Sequence, residues 1–196
     1  LHDALPICHE VNEVFFDDVE VPYENLIGEE NKGWDYAKFL LGNERTGIAR
    51  VGVSKERLRR IRALASKVES GGRPVIEDPA FREKLTACEI ELKALELTQL
   101  RVVADEGKHG KGKPNPASSV LKIKGSEIQQ TTTELLMEII GPFAAPYDEH
   151  GDAGSNESMD WTAQIAPSYF NNRKVSIYGG SNEIQRNIIS KAVLGL

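Results

Sequence analysis

Leu85-Thr86-Ala87-Cys88-Glu89-Ile90-Glu91-Leu92-Lys93-Ala94-Leu95 decides the fold class, because Leu85, Cys88, Leu92 and Leu95 follow one another at alternating steps of three and four residues. Gln99 and Val102 continue the series. This near-heptad spacing lays one stripe along one side of a long α-helix. Such a stripe is stable only against other helices, so the expectation is an all-α bundle. Asp78-Pro79 opens the element: the aspartate can accept from a free N–H of the first turn, and proline has no N–H to lose there. The helix is predicted to run from there to about Glu106.

Similar patterns lie on either side. Trp34, Ala37, Phe39-Leu40-Leu41, Ile48, Val51, Leu58, Ile61 and Leu64-Ala65 predict one helix from about Gly33 to Val68, ended by Gly71-Gly72-Arg73-Pro74. Gly42, Gly47 and Gly52 interrupt it. Each weakens a helix by about 1 kcal/mol relative to alanine, so either a close approach to the backbone or tight helix packing is expected there. Downstream, Leu121, Ile128 and Leu135 predict a helix over about 117–140, stopped by Gly141-Pro142. A further helix is expected from about Trp161 to Ser176. A last one is capped by Ser181 and reaches Val193, with Ile184, Ile188 and Ile189 on one side. The segment Gly107-Lys-His-Gly-Lys-Gly112-Lys113-Pro114 comes close to a phosphate-binding loop, but it follows a helix and carries a proline, so it reads as a basic connecting loop.

Val11 to Val21, rich in Val and Phe and followed by Pro22-Tyr23-Glu24-Asn25, is the one convincing β segment. A single strand has no partner for its backbone groups, so the chain reads as a fragment whose other strands lie upstream. Composition narrows the function. With 40% apolar residues in 196 the chain can bury a core, and 30 acidic against 24 basic residues, net −6, disfavour nucleic-acid or membrane-surface binding. Two cysteines, Cys8 and Cys88, and four scattered histidines suggest neither a disulfide framework nor a metal site. No membrane span or targeting segment is expected, and a cytoplasmic location is the default.

The run Ile177-Tyr178-Gly179-Gly180-Ser181-Asn182-Glu183-Ile184-Gln185-Arg186-Asn187-Ile188-Ile189 closely resembles the segment that ends acyl-CoA dehydrogenases. Val14 to Pro22, Asn25-Leu26-Ile27-Gly28, and Gly33-Trp34 leading to Asn43-Glu44-Arg45 agree in order and spacing. The resemblance is strongest to large subunits of bacterial two-subunit enzymes of the pimeloyl-CoA dehydrogenase type, through Leu41 to Arg50 and Leu92 to Gln99. It implies that residues 1–30 are the tail of a middle β domain. Residues 31–196 would then be the C-terminal four-helix up-down bundle with its terminal helix.

The resemblance also implies a reaction: α,β-dehydrogenation of an acyl-CoA thioester to a trans-2-enoyl-CoA, with FAD taking the hydride and an electron-transfer flavoprotein as acceptor. Most family members carry the carboxylate base directly after the motif tyrosine. Here that residue is Gly179, which can hold no proton. A second group places the base on the first bundle helix, immediately before an arginine, and the matching residues are Glu44 and Arg45. Glu44 is therefore the expected base, and Gly179 the donor of a backbone N–H to the thioester oxygen. Asn43, Arg45 and Tyr178 are placed at the substrate, and Gly141, Ser181, Asn182 and Glu183 at the flavin. Two departures stand out. The family's glycine-rich turn appears as Glu138-Ile-Ile-Gly141-Pro142-Phe143-Ala144 with one glycine left, and an Arg-x-x-Phe-Gly segment is missing between Ser54 and Pro79. Both favour an α2β2 heterotetramer over a homotetramer. The alternatives are a non-catalytic scaffold subunit of such a complex, or a flavin-free helical interaction bundle.

Overall fold

The computed structural model describes residues 13–44, 47–109, 116–144, 162 and 164–196, without the side chains of residues 38, 41–44 and 106–109. The chain forms two compact units, Leu1–Glu44 and Arg45–Leu196.

In the first unit, helix α1 spans Gly33–Glu44 and follows a 3₁₀ turn at Tyr23–Asn25. Gly28, at φ +82°, passes beneath Tyr36, and a side chain there would lie 2.7 Å from the phenol oxygen. The same hydroxyl accepts from the Glu29 N–H at 2.9 Å. The strand expected over 11–21 is not formed at residues 13–21, and residues 11 and 12 lie outside the described ones. Val14, Phe15, Phe16, Val19 and Val21 are all exposed. β-propensity measures how well side chains fit a paired, half-covered surface, and no described segment pairs with this one.

The second unit is a helical bundle: α2 (Val51–Ala65), α3 (Pro79–His109), α4 (Pro116–Ile140), α5 (Ile165–Asn171) and the terminal α6 (Asn182–Ile189). Helix α4 is its centre, packed against α2, α3, α5 and α6. Leu121, Ile128 and Leu135 are buried along it, and the α3 stripe of Phe81, Leu85, Cys88, Leu92, Leu95 and Val102 faces the same core. The expected cap of α3 is present, Asp78 Oδ1 accepting from Ala80 N at 2.8 Å. Residues 110–115, most of the expected basic loop, lie outside the described ones.

Two expected helices differ, and one hairpin was not expected. The helix over 33–68 is broken: Gly47–Ala49 forms a 3₁₀ turn and Arg50 adopts φ +46°, after which α2 begins. A left-handed residue costs roughly 1–2 kcal/mol. What the break permits is contact with α4: a Cβ on Gly125 would lie 2.7 Å from Ala49 Cα and 2.8 Å from its carbonyl oxygen. The close backbone approach expected at Gly47 and Gly52 is therefore made at Gly125, since both of those have open surroundings among the described residues; the surroundings of Gly42 lie outside them. The helix expected from Trp161, itself outside the described residues, starts at Ile165 instead and continues as a 3₁₀ turn over Asn172–Ser176. Pro167 sets this start, because proline is tolerated in a first turn and would break a helix begun at 161. Finally, strands β1 (Glu69–Ser70) and β2 (Arg73–Pro74) pair antiparallel. Gly71 and Gly72, at φ +62° and +80°, supply the two left-handed residues of that hairpin's turn.

Candidate active site

The segment between the 3₁₀ turn at 172–176 and α6 carries two consecutive left-handed residues, Gly179 at φ +69° and Gly180 at φ +82°. Only glycine adopts such a pair at little cost. Both are also crowded on the side where a side chain would grow: Gly179 meets Ile48 Cδ1, and a Cβ on Gly180 would lie 2.7 Å from Gln185 Nε2. Gln185 is buried and donates a long 3.5 Å bond to the Gly179 carbonyl. Among the described residues no hydrogen bond uses the Gly179 N–H. Gly179 is exposed and follows Tyr178, which is 42% exposed, so the turn carries a backbone donor left without an acceptor among the described residues.

Ser181 is extended and caps α6, its hydroxyl accepting from Ile184 N at 3.4 Å. Asn182 is buried. Its Oδ1 accepts from Lys122 Nζ at 2.7 Å and its Nδ2 donates to Ser126 Oγ at 3.0 Å. Lys122 also donates to the Ser176 carbonyl at 2.8 Å. It is itself 3% exposed, and burial pushes its ammonium below the usual lysine range. Glu183 is exposed; its own backbone N–H and the Ser181 hydroxyl hold its carboxyl below the usual range. Arg57, half-buried, donates to Asn172 Oδ1 at 3.5 Å. Burial first, and then Arg50, lower its pKa, while nearby Tyr178 acts in the opposite direction.

The remaining expected residues lie as follows. Glu44 ends α1, in the first unit, while Tyr178 to Glu183 belong to the second. The side chains of Asn43 and Glu44, and all of Arg45, lie outside the described residues. Gly141 opens a 3₁₀ turn over Gly141–Ala144 at φ +57°. It borders a groove of about 530 Å³ lined by Leu64, Lys67, Val68, Ile140 and Phe143 among others. The space beside Gly141 is open, so its backbone angle, rather than a close neighbour, calls for glycine.

A flavin dinucleotide would have to fit the start of α6. The first N–H groups there already have two acceptors, the Ser181 hydroxyl and the Glu183 carboxylate, and a phosphate would be repelled by the latter. The residues suit the donor-bearing parts of the dinucleotide, ribose hydroxyls or the adenine amine, which the Glu183 carboxylate can accept. Asn182 has its side chain turned into the bundle, so any contact it makes with such a group runs through its backbone.

Sequence reasoning did not place Lys122, Ser126, Gln185 and Ile48 at the site, although Ile48 belongs to the helical apolar pattern and Gln185 to the terminal run. One signal was present: Ser118, Lys122, Ser126 and Gln129 recur at helical steps and form a buried polar stripe on α4 next to the apolar one.

An all-α bundle whose last helix is entered through a donor-presenting double-glycine turn is the class of domain defined by these features. Residues 31–194 match the family model described as acyl-CoA dehydrogenase, C-terminal domain, and the chain belongs to that family. It is 32% identical over 188 residues to the acyl-CoA dehydrogenase IpdE1 of Mycobacterium tuberculosis, covering 95% of this chain and 44% of that protein. It is 29% identical to the long-chain specific acyl-CoA dehydrogenase of Sus scrofa mitochondria, covering 99% of this chain and 42% of the relative. The chain therefore spans less than half the length of these relatives. Among solved structures, a chain of the ChsE4-ChsE5 complex from Mycobacterium tuberculosis superposes with a TM-score of 0.70 at 27% identity, covering 93% of this chain and 45% of that one.

Proposed function

We propose that this chain forms the C-terminal part of an enzyme that converts an acyl-CoA thioester to its trans-2-enoyl-CoA, with Glu44 as the base for the α-proton. The observation that carries this reading is Gly179: its positive φ and the Ile48 methyl beside it exclude an acid from the position after Tyr178, while among the described residues its N–H has no acceptor. The base must then stand elsewhere, and the resemblance puts it at Glu44.

The division of labour follows from acidity. A carboxylate alone is far too weak to ionise an α-C–H. The Gly179 N–H, donated to the thioester oxygen, stabilises the negative charge that develops there as the proton leaves. Glu44 takes that proton as the positioned general base. When bound, FAD would supply the acceptor for the β-hydrogen as hydride, so that the C–C double bond would form as both hydrogens depart. Ser181 and Glu183 hold the dinucleotide from the start of α6, with Gly141 at a second contact, and Asn43, Arg45 and Tyr178 line the acyl-CoA. Electrons leave through an electron-transfer flavoprotein. An α2β2 assembly is favoured, supported by the likeness to a chain of a two-component complex.

The test is Glu44→Gln in the full-length protein. Turnover should fall by about 10²–10⁴-fold, the usual contribution of a positioned base, with FAD content unchanged. Turnover at the unmodified rate would refute the assignment.

A further inference from the structure

A buried lysine is costly unless its proton donors are satisfied, and its charge is best offset by an acid. Among the described residues two of the three N–H donors of Lys122 are used, by the Ser176 carbonyl at 2.8 Å and Asn182 Oδ1 at 2.7 Å, both neutral oxygens, while Glu183 favours its charged form by charge alone. These two acceptors lie at either end of the Ile177–Ser181 segment that contains Gly179 and Gly180. The far end is secured a second time by Ser126, one turn further along α4, which shares a 3.0 Å bond with Asn182 Nδ2.

The opposite wall of the turn also depends on α4. Gly125, adjacent to Ser126, admits the backbone of Ala49, and the preceding residue, Ile48, covers Gly179. One short stretch of α4, Lys122 to Ser126, therefore fixes both the turn and the side chain that packs on it. The turn's other ties are to its neighbours in sequence: Ile177 N and Tyr178 N donate to the Lys174 carbonyl at 2.9 and 3.3 Å, and Ser181 caps α6. The two glycines have no side chains, and the internal bond from Gln185 to the Gly179 carbonyl is 3.5 Å long.

We propose that Lys122 is a positioning residue for the reaction: by tying Ser176 and Asn182 to α4 it fixes the direction in which the Gly179 N–H points. This rests on the reading of Gly179 as the donor to the thioester oxygen. A misdirected donor binds the ground-state carbonyl nearly as well but loses much of its value for the charge that develops later. The effect should therefore fall on kcat more than on KM.

The experiment uses the full-length, FAD-loaded protein and compares Lys122→Met, Lys122→Arg and Glu44→Gln. Lys122→Met should lower kcat per bound flavin by about tenfold or more, the order of a weakened oxyanion donor, with KM changed by less than about threefold. Amide hydrogen exchange over residues 177–181 should speed up, and Lys122→Arg should recover part of both. Should Lys122→Met not fold, Asn182→Ala removes one end of the clamp and is expected to show the same split. A folded Lys122→Met protein with unchanged kcat per flavin and unchanged exchange, beside an inactive Glu44→Gln, overturns the role of Lys122. A fully active Glu44→Gln overturns the underlying reading instead, and the exchange measurement then still decides whether Lys122 holds the turn.

Discussion

The δ-methyl of Ile48 occupies the space into which a side chain at Gly179 would have to grow. Gly179→Ala meets two separate costs: roughly 1–2 kcal/mol for placing an L-residue in the left-handed region, and about 1–3 kcal/mol for overpacking against Ile48. Adding Ile48→Ala should return the second cost but not the first. Urea unfolding of the full-length single and double variants measures both, and strictly additive losses would show that the two side chains do not compete for the same space.

Gly125→Ala is a contest between opposing effects. Alanine favours a helix interior by about 1 kcal/mol, but the new Cβ would lie 2.7 Å from Ala49 Cα, and a backbone cannot move aside as a side-chain tip does. Overpacking of about 1–3 kcal/mol should win, so the variant is expected to unfold at lower denaturant concentration. Any shift of Ala49 carries Ile48 with it, and kcat should drop alongside stability. A more stable Gly125→Ala protein would show that the 47–49 turn can retreat freely.

How much of this was legible depended on whether local pattern or distant packing set each feature. Helices α3 and α4 could be read because Leu85 to Val102 and Leu121 to Leu135 repeat over several turns and have clear ends at Asp78 and Gly141. The start of α5 was misplaced because apolar spacing from Trp161 outweighed Pro167, whose ring decides where a helix can begin. The strand over 11–21 failed because residue preference does not supply a partner. At the site, Gly179 stood out because it stands where most family members carry the acid after the tyrosine. Lys122 did not, since a lysine in a helical pattern counts as surface; only its four-residue spacing from Ser118 and Ser126 hinted at a buried polar stripe. Ile48 could not be tied to Gly179 at all without the left-handed break at Arg50.

Two serines are placed where alanine should serve better. Ser54 on α2 and Ser119 on α4 are fully buried, and neither hydroxyl has a hydrogen-bond partner among the described residues. Removing an unsatisfied buried hydroxyl recovers a desolvation cost of about 1–3 kcal/mol, less the small cavity left by one oxygen, and alanine is also the better helix former. Ser119→Ala is therefore expected to raise the thermal midpoint of the full-length protein by a few degrees, roughly the shift that 1 kcal/mol produces in a domain of this size. A lower midpoint would mean that the hydroxyl holds a water.

Cys88 should be chemically silent in the folded protein. It is 4% exposed on the core stripe of α3, and burial, assisted by Glu91 and Glu89, pushes its thiol up to about 11. The thiolate is the reactive form, so at pH 8 both access and ionisation oppose reaction. Site-resolved labelling with an aromatic disulfide should modify Cys88 only at the rate at which the bundle opens, and that rate should climb with urea. The sign of the pH effect follows from the same shift. The folded pKa lies above the unfolded one, about 8.5, so the folded state keeps its proton longer. The stability contributed by this group is complete below about pH 8.5 and is lost as pH rises through about 11. Cys88→Ala should flatten that part of the alkaline stability profile; rapid labelling of native Cys88 at pH 8 would contradict its place in the core.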